Sequence, residues 1–243
     1  MPDAPSYLVY AALMFAAAGT QGFLGFGYGI IVMAWLTLTN DLVHATAVVN
    51  LSSLLLVAAV VGRDYRHILW LQLRRIVPAM FVGIAVGLVA LGSIERALMV
   101  RTLGVVIIAI AAWNLWGPPL RRHRESLPRD MAFGLASGVL SGAFNTGGPP
   151  LVIHLYRRPE PPVQLVVTLQ AIFVCSGVVR ALMATSQGLI GRAAVYDTLW
   201  AAPWVVLGAL AGRRLGARTD PLRFRRIAWL ALGALGVALL AGS

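Results

Sequence analysis

The chain reads as an all-α, polytopic membrane protein built from two inverted repeats, each holding one broken or re-entrant helical hairpin and three transmembrane helices. Three observations predict this. The residues are 59% hydrophobic and only 12% charged, with a mean hydropathy of +0.80, far from the composition of a soluble domain. Two glycine-rich interruptions, one spanning residues 19–29 and the other 138–150, sit inside apolar runs. The basic residues fall in short loops between those runs. All 20 are arginine.

In chain order, apolar stretches cover Leu8 to Gly19, Ile30 to Leu38, Val43 to Val61, Ile76 to Leu91 and Ala97 to Trp116. A second series covers Met131 to Gly142, Leu151 to Tyr156, Val163 to Ala184, Ala193 to Ala211 and Arg226 to Ala241. Several reach the roughly 20 residues that a helix needs to cross lipid, but the pieces beside the glycine interruptions are shorter. The start, Met1-Pro2-Asp3, has no basic stretch of the kind that opens a signal peptide.

A duplication is visible within the chain. Pro78, Gly83 and Gly87 recur as Pro203, Gly208 and Gly212, 125 positions later, and Gly19 recurs as Gly138, 119 positions later. The expected units are residues 1–116 and 130–243, joined by a polar cytoplasmic linker over residues 117–129. Paired small residues four apart allow close helix packing.

Arginine placement decides how the broken segments run. If both cross the membrane, the loop arginines divide 9 to 10 between the two faces. If both re-enter, Arg63, Arg66, Arg74, Arg75, the four arginines of residues 121–129, Arg157, Arg158 and the six of residues 213–226 share one face. Only Arg96, Arg101 and Arg192 oppose them, a division of 16 to 3 with Arg180 left inside a span. That asymmetry marks a cytoplasmic face. It places both termini outside and the halves inverted, an arrangement used for alternating access.

The interruptions carry the chemistry. A break at membrane depth frees backbone groups, which is tolerated only where protein buries them or a cavity uses them. Asn145-Thr146-Gly147-Gly148-Pro149-Pro150 reads as a loop feeding a helix start, with proline suited to the first turn. The N–H groups and positive dipole end of such a helix attract an anion. Asn145 and Thr146 add side-chain hydrogen bonds, and Gly147 and Gly148 permit close approach. Gly25, Gly27 and Gly29 do the same in the first break, where Tyr28 offers a hydroxyl.

Polar residues within the spans are few, so each is a candidate lining group. Asn50 and Gln170 occupy matching spans and join the expected binding set, with Gln21 and Thr168 as further candidates and interhelical hydrogen bonding as their alternative role. Arg180 either pairs an anion or snorkels to the interface from near the end of its span. His154 is the titratable group nearest the second break. All nine acidic residues lie near span ends or in loops, so no buried carboxylate relay is expected.

Other classes fit less well. Nucleic acid as a partner is disfavoured because no soluble module remains to carry a recognition element. An intramembrane serine hydrolase would need Ser141 and His154 in hydrogen-bond reach, and Ser141 is not in a nucleophile elbow. No enzyme activity and no cofactor are expected. The single Cys175 rules out an intrachain disulfide and makes a zinc cluster implausible. The expected partners are a small anionic substrate, membrane lipid and, as a candidate, a second copy of the chain. A non-coupled anion channel and a membrane receptor or structural component remain open alternatives.

Residues 138–151, and above all Asn145-Thr146-Gly147-Gly148-Pro149-Pro150, together with the matching first break and the two-half layout, resemble the sulfite exporter TauE/SafE family, also called the toluene-sulfonate uptake permease group. The first break departs from it in carrying Phe26 and Tyr28 between glycines. The resemblance implies a bacterial inner-membrane permease for sulfite, an organosulfonate or a related sulfur-containing anion.

The topology has a direct check. Cysteines placed at positions 3 and 243 are expected to react with a membrane-impermeant maleimide added outside intact cells. Labelling of either one only after the cytoplasmic membrane is opened would exclude the re-entrant arrangement.

Overall fold

A computed structural model describes residues 4–39, 42–93, 95–116, 126–156 and 158–216, and helical residues 229–230, 233–234, 236–237 and 240–241 beyond. Every regular element among the described residues is helical. In chain order these are α1 (Ala4–Leu24), α2 (Tyr28–Thr39), α3 (Leu42–Asp64), α4 (Trp70–Ser93) and α5 (Arg96–Trp116), with a 3-10 turn at Tyr65–His67 between α3 and α4. They continue as α6 (Leu127–Phe144), α7 (Gly148–Leu155), α8 (Pro162–Ser186) and α9 (Arg192–Gly216). Residues 1–3 and 242–243 at the termini and 117–125 of the expected linker lie outside the described residues.

Among the described residues three helices are long and apolar enough to cross a membrane: Trp70–Ser93, Val163–Ser186 and Arg192–Leu215. Their outward faces are apolar. On α4, Val82, Val86 and Val89 are more than half exposed, a surface that water would penalise and lipid accepts. α1, α3 and α5 have 21, 23 and 21 residues, close to the roughly 20 needed for a span.

The breaks are narrower than the glycine-rich stretches that announce them. α1 continues through Gly19, Thr20, Gln21 and Gly22, and only residues 25–27 leave the helix. α6 likewise runs through Gly138 and Gly142, leaving residues 145–147 as the loop. What ends each helix is left-handed backbone, with φ of +82° at Gly25 and +53° at Asn145. Glycine takes that conformation without steric cost, and asparagine is among the few side chains that tolerate it. These two stand 145 − 25 = 120 positions apart, one more than the spacing of the glycines in the sequence.

The second break folds back on itself. Ser137 Oγ donates to the Gly147 carbonyl at 2.6 Å, and His154 Nε2 donates to Asp130 Oδ1 at 2.6 Å. From Ser137 back to Asp130 is seven residues, and from Gly147 on to His154 is also seven. At 1.5 Å per residue both legs rise about 10.5 Å. α7 therefore runs antiparallel to the N-terminal part of α6.

Glycines other than those in the breaks set the helix pairing. α4 packs along α6, and α9 packs along α1. A Cβ at Gly83 would overlap the Leu135 carbonyl of α6, and one at Gly87 the Val139 carbonyl. A Cβ at Gly208 or Gly212 would overlap the Phe15 or Gly19 carbonyl of α1. The repeated Pro-x4-Gly-x3-Gly pattern thus places backbone against backbone in both pairs, where lipid supplies no hydrophobic drive and close packing must.

Gly138→Val is expected to lower the thermal midpoint in detergent sharply, because its Cβ would overlap the Met80 carbonyl and no side chain can yield. Gly92 has nothing within 4 Å of a Cβ, and Gly92→Ala is expected to hold or raise the midpoint by reducing unfolded-state entropy. Equal midpoints for the two variants would show that the α4–α6 contact does not require glycine.

Candidate functional site

The two breaks meet in the middle of the helix bundle. A Cβ on Gly29 would overlap the Asn145 carbonyl, and one on Gly148 would come within 3.6 Å of the Phe26 Cβ. Between them lies a cavity of about 50 Å³. At roughly 10–15 Å³ of such volume per water, it has room for a handful of small heavy atoms. The first break supplies Phe26, Gly27 and Gly29, and the second supplies residues 145–148. Walls come from Gln21 on α1, Ser53 and Val57 on α3, Ser137 and Ser141 on α6, and Phe173, Ser176 and Gly177 on α8.

Two helix N-termini face this space. α7 starts at Gly148 with Pro149 and Pro150 next, and its N-cap, Gly147, makes no side-chain cap hydrogen bond. Prolines remove two of the N–H groups that open a helix. The N–H groups of Gly147 and Gly148 donate to no partner among the described residues. Thr146 is 2% exposed, and its hydroxyl also lacks a partner. Buried donors without acceptors are costly unless a bound group satisfies them.

The opposite helix ends are capped. Arg180 on α8 donates from Nε and Nη2 to the Gly142 carbonyl near the end of α6, at 3.3 and 3.1 Å. A cation there offsets the negative end of the helix dipole. Gln170 Nε2 donates to the Gly25 carbonyl after α1 at 2.7 Å, and its Oε1 accepts from Gln21 Nε2 at 3.3 Å. Gln21 Oε1 in turn accepts the Tyr28 N–H at 3.2 Å. Carbonyls that would repel an anion are thereby turned to other donors.

Of the residues expected from sequence, Gln21, Gly27, Gly29, Asn145, Thr146, Gly147 and Gly148 line this cavity. The rest sit elsewhere. Tyr28 is fully buried, but its hydroxyl donates to Ser52 Oγ at 2.7 Å on α3 rather than facing the cavity. Gly25 ends α1 through its positive φ. Thr168 Oγ1 accepts the Leu69 N–H at 2.9 Å and anchors the entry to α4. Arg180 does not snorkel: it is 2% exposed, six residues before the end of α8 at Ser186. It and Asn50 line a separate, smaller cavity.

His154 likewise does not line the cavity; it meets a carboxylate that is buried although it lies near a span end. Asp130 lies in the first turn of α6 yet is 0% exposed. Its Oδ1 accepts from His154 at 2.6 Å and Arg158 at 2.9 Å, and its Oδ2 lies 3.6 Å from Arg75 on α4. Phe133 stacks on the His154 ring at 4.7 Å between centroids. Nearness to a helix end suggested exposure; the returning hairpin covers the carboxylate instead. Ser141, whose hydroxyl lies 2.9 Å from that of Ser176, makes no hydrogen bond with His154.

Sequence reasoning passed over Phe26, Ser137, Phe173 and Gly177 as lining residues. Phe26, the departure from the family pattern in the first break, packs at a tilt against Trp229 with ring centroids 5.5 Å apart and closes one wall. Ser137, seven residues before the α6 terminus, reaches the loop only because the hairpin doubles back. Ser53 and Ser176, polar residues in apolar spans, carried a readable signal.

The sequence family described as "Sulfite exporter TauE/SafE" matches residues 10–239. The "Probable sulfite/organosulfonate exporter TauE" of Cupriavidus necator is 32% identical over 238 residues, covering 94% of this chain and 91% of that relative. The "Probable inner membrane transporter protein TsaS" of Comamonas testosteroni is 27% identical over 184 residues, covering 73% of this chain and 75% of that protein. No solved structure matches the chain.

Asp130→Ala should lower stability by about 3 kcal/mol, because it removes the buried carboxylate that His154 and Arg158 share. The check is the thermal midpoint in detergent. An unchanged midpoint would mean that the carboxylate does not brace the hairpin.

Proposed function

Because this chain belongs to the sulfite exporter TauE/SafE family, we propose that it is an inner-membrane permease that carries a small sulfur-containing anion, sulfite or an organosulfonate, between its two broken helices. The observation that carries the proposal is the cavity at the meeting of the breaks, where the free N–H groups of Gly147 and Gly148 and the unpartnered Thr146 hydroxyl converge. A sulfite or sulfonate head presents several acceptor oxygens on one small centre. Helix N-terminal N–H groups and a hydroxyl match it in sign and in geometry.

Gln21, Asn145 and the serines at 53, 137, 141 and 176 surround the same space with groups that both donate and accept. Gly27 and Gly29 let backbone approach the anion from the first break. Phe26, Phe173 and Val57 exclude water on the remaining sides and strengthen each polar contact.

Transport follows by alternating access. The repeated Pro-x4-Gly-x3-Gly pattern, the left-handed pair Gly25 and Asn145 and the cross-pairing of α4 with α6 and α9 with α1 support two inverted repeats. In that reading the units are residues 1–116 and 130–243, each of one re-entrant hairpin and three spans. Movement of the packed spans against each other exposes the cavity to one face and then the other. The arginine-rich face is cytoplasmic.

Thermal shift in detergent tests the site. Sulfite, thiosulfate and taurine at about 100 times their dissociation constants should each stabilise the protein by roughly 2.7 kcal/mol. Acetate and succinate should do so far less, and Thr146→Val should weaken the sulfur anions by about tenfold, the loss of roughly one hydrogen bond to a charged group. Equal stabilisation by carboxylates would refute the sulfur-anion assignment. In proteoliposomes, saturable sulfite flux with counterflow is expected, and flux linear in concentration would favour a channel.

A further inference from the structure

Two buried polar groups take no part in the central cavity. Asn50 on α3 is 1% exposed, and neither its amide nitrogen nor its amide oxygen has a hydrogen-bond partner. Arg180 on α8 is 2% exposed. Its guanidinium meets only neutral carbonyls, with Nε and Nη2 on Gly142 and Nη1 on Thr46 at 3.3 Å. No carboxylate pairs with it among the described residues. Carbonyls and a helix end satisfy donors but supply no full counter-charge, and a charge in that state at membrane depth marks a functional site by default. Of the five N–H donors of a guanidinium, three are engaged, so two remain.

Both side chains line a second cavity of about 10 Å³, with Thr46 beside them and Leu88, Leu91 and Leu189 around. Its position is fixed by two helices at once. On α3, Ser53 lines the central cavity and Asn50, three residues earlier, lines the second. On α8, Ser176 and Gly177 line the central cavity and Arg180, three residues after Gly177, lines the second. The two cavities are thus stacked one helical turn apart, about 5 Å. The displacement points toward the end of the bundle where α3 begins and α8 finishes, the end opposite Arg63, Arg66, Arg74 and Arg75. Leu88, Leu91 and Leu189 are the bulky apolar side chains of the cavity, beside Ala47 and Ala184.

We propose that Asn50 and Arg180 form a second anion site, a relay that the transported anion enters from the central cavity on its way through the face closed by Leu91 and Leu189. The inference rests on the central-cavity reading and extends it by one step. In this structure the relay holds about one water's volume. Outward movement of the leucine wall enlarges it, and the anion then takes the two remaining guanidinium N–H groups and the Asn50 amide N–H. Arginine suits the task because its fork meets two oxygens of an oxyanion together.

The test replaces the visiting anion with a resident one. Asn50→Asp is isosteric and sets a carboxylate beside Arg180, so the relay is occupied permanently. Expected are a thermal midpoint at or above the wild-type value, sulfite-induced stabilisation preserved within about twofold, and sulfite flux into proteoliposomes reduced at least tenfold. Should this variant fail to fold, Asn50→Leu fills the same space without charge, and lost flux with retained sulfite stabilisation is again expected. Wild-type flux in a folded Asn50→Asp or Asn50→Leu protein overturns the relay while leaving the central site standing. Absence of sulfite stabilisation and flux in the wild-type protein overturns both, and is recognised without any variant.

Discussion

Backbone polar groups cannot be left open in lipid, and the rest of this structure answers that constraint at two places where helices stop halfway. Each break creates a C-terminal end rich in carbonyls and an N-terminal end rich in N–H groups. The protein treats the two ends differently. Arg180 occupies the Gly142 carbonyl and Gln170 the Gly25 carbonyl, while the N–H groups of Gly147 and Gly148 stay open. This selective satisfaction gives the central cavity a positive character without placing a lysine or an arginine in its lining.

Holding two helix ends together at that depth requires neighbours that come close and do not shift. Glycine faces at residues 83 and 87 on α4 and at 208 and 212 on α9 bring backbone against α6 and α1. Farther along the second hairpin, Asp130 gathers His154, Arg158 and Arg75. That cluster ties the start of α6, the region where α7 ends and the base of α4 into one unit. An isolated buried ion pair is weak support for stability, but one carboxylate hydrogen-bonded to His154 and Arg158 and facing Arg75 fixes the relative placement of their elements.

Many of the polar groups in the spans serve this architecture. Tyr28 holds α2 to α3 through Ser52, Thr168 holds the entry of α4 to α8, and the Gln21–Gln170 pair stitches the first break. Their roles explain why rare polar residues in apolar helices do not all converge on one site. Gln21 does both, bracing the break with both sides of its amide and lining the cavity. Asn50 and Gln170 show the contrast most plainly. They stand 170 − 50 = 120 positions apart, like Gly25 and Asn145, yet Gln170 reaches a carbonyl and the shorter Asn50 reaches nothing.

From the sequence alone, the all-helical membrane class and the location of both breaks were legible, because lipid admits few backbone solutions and glycine, asparagine and proline announce where they fail. Helix ends were less so, since α1 and α6 run through glycines and stop only where the backbone turns left-handed. Tertiary structure alone decided which polar side chains meet. The burial of Asp130 and Arg180, the commitment of Tyr28 to Ser52 and the arrival of Ser137 at the second break all depend on a hairpin doubling back and on α3 and α8 packing beside each other. Those are contacts between residues distant in the chain. Local pattern reports the period and the breaks of a helix; which face a buried polar group finds across from it depends on the packing angle and register of its neighbours, and no single segment encodes them.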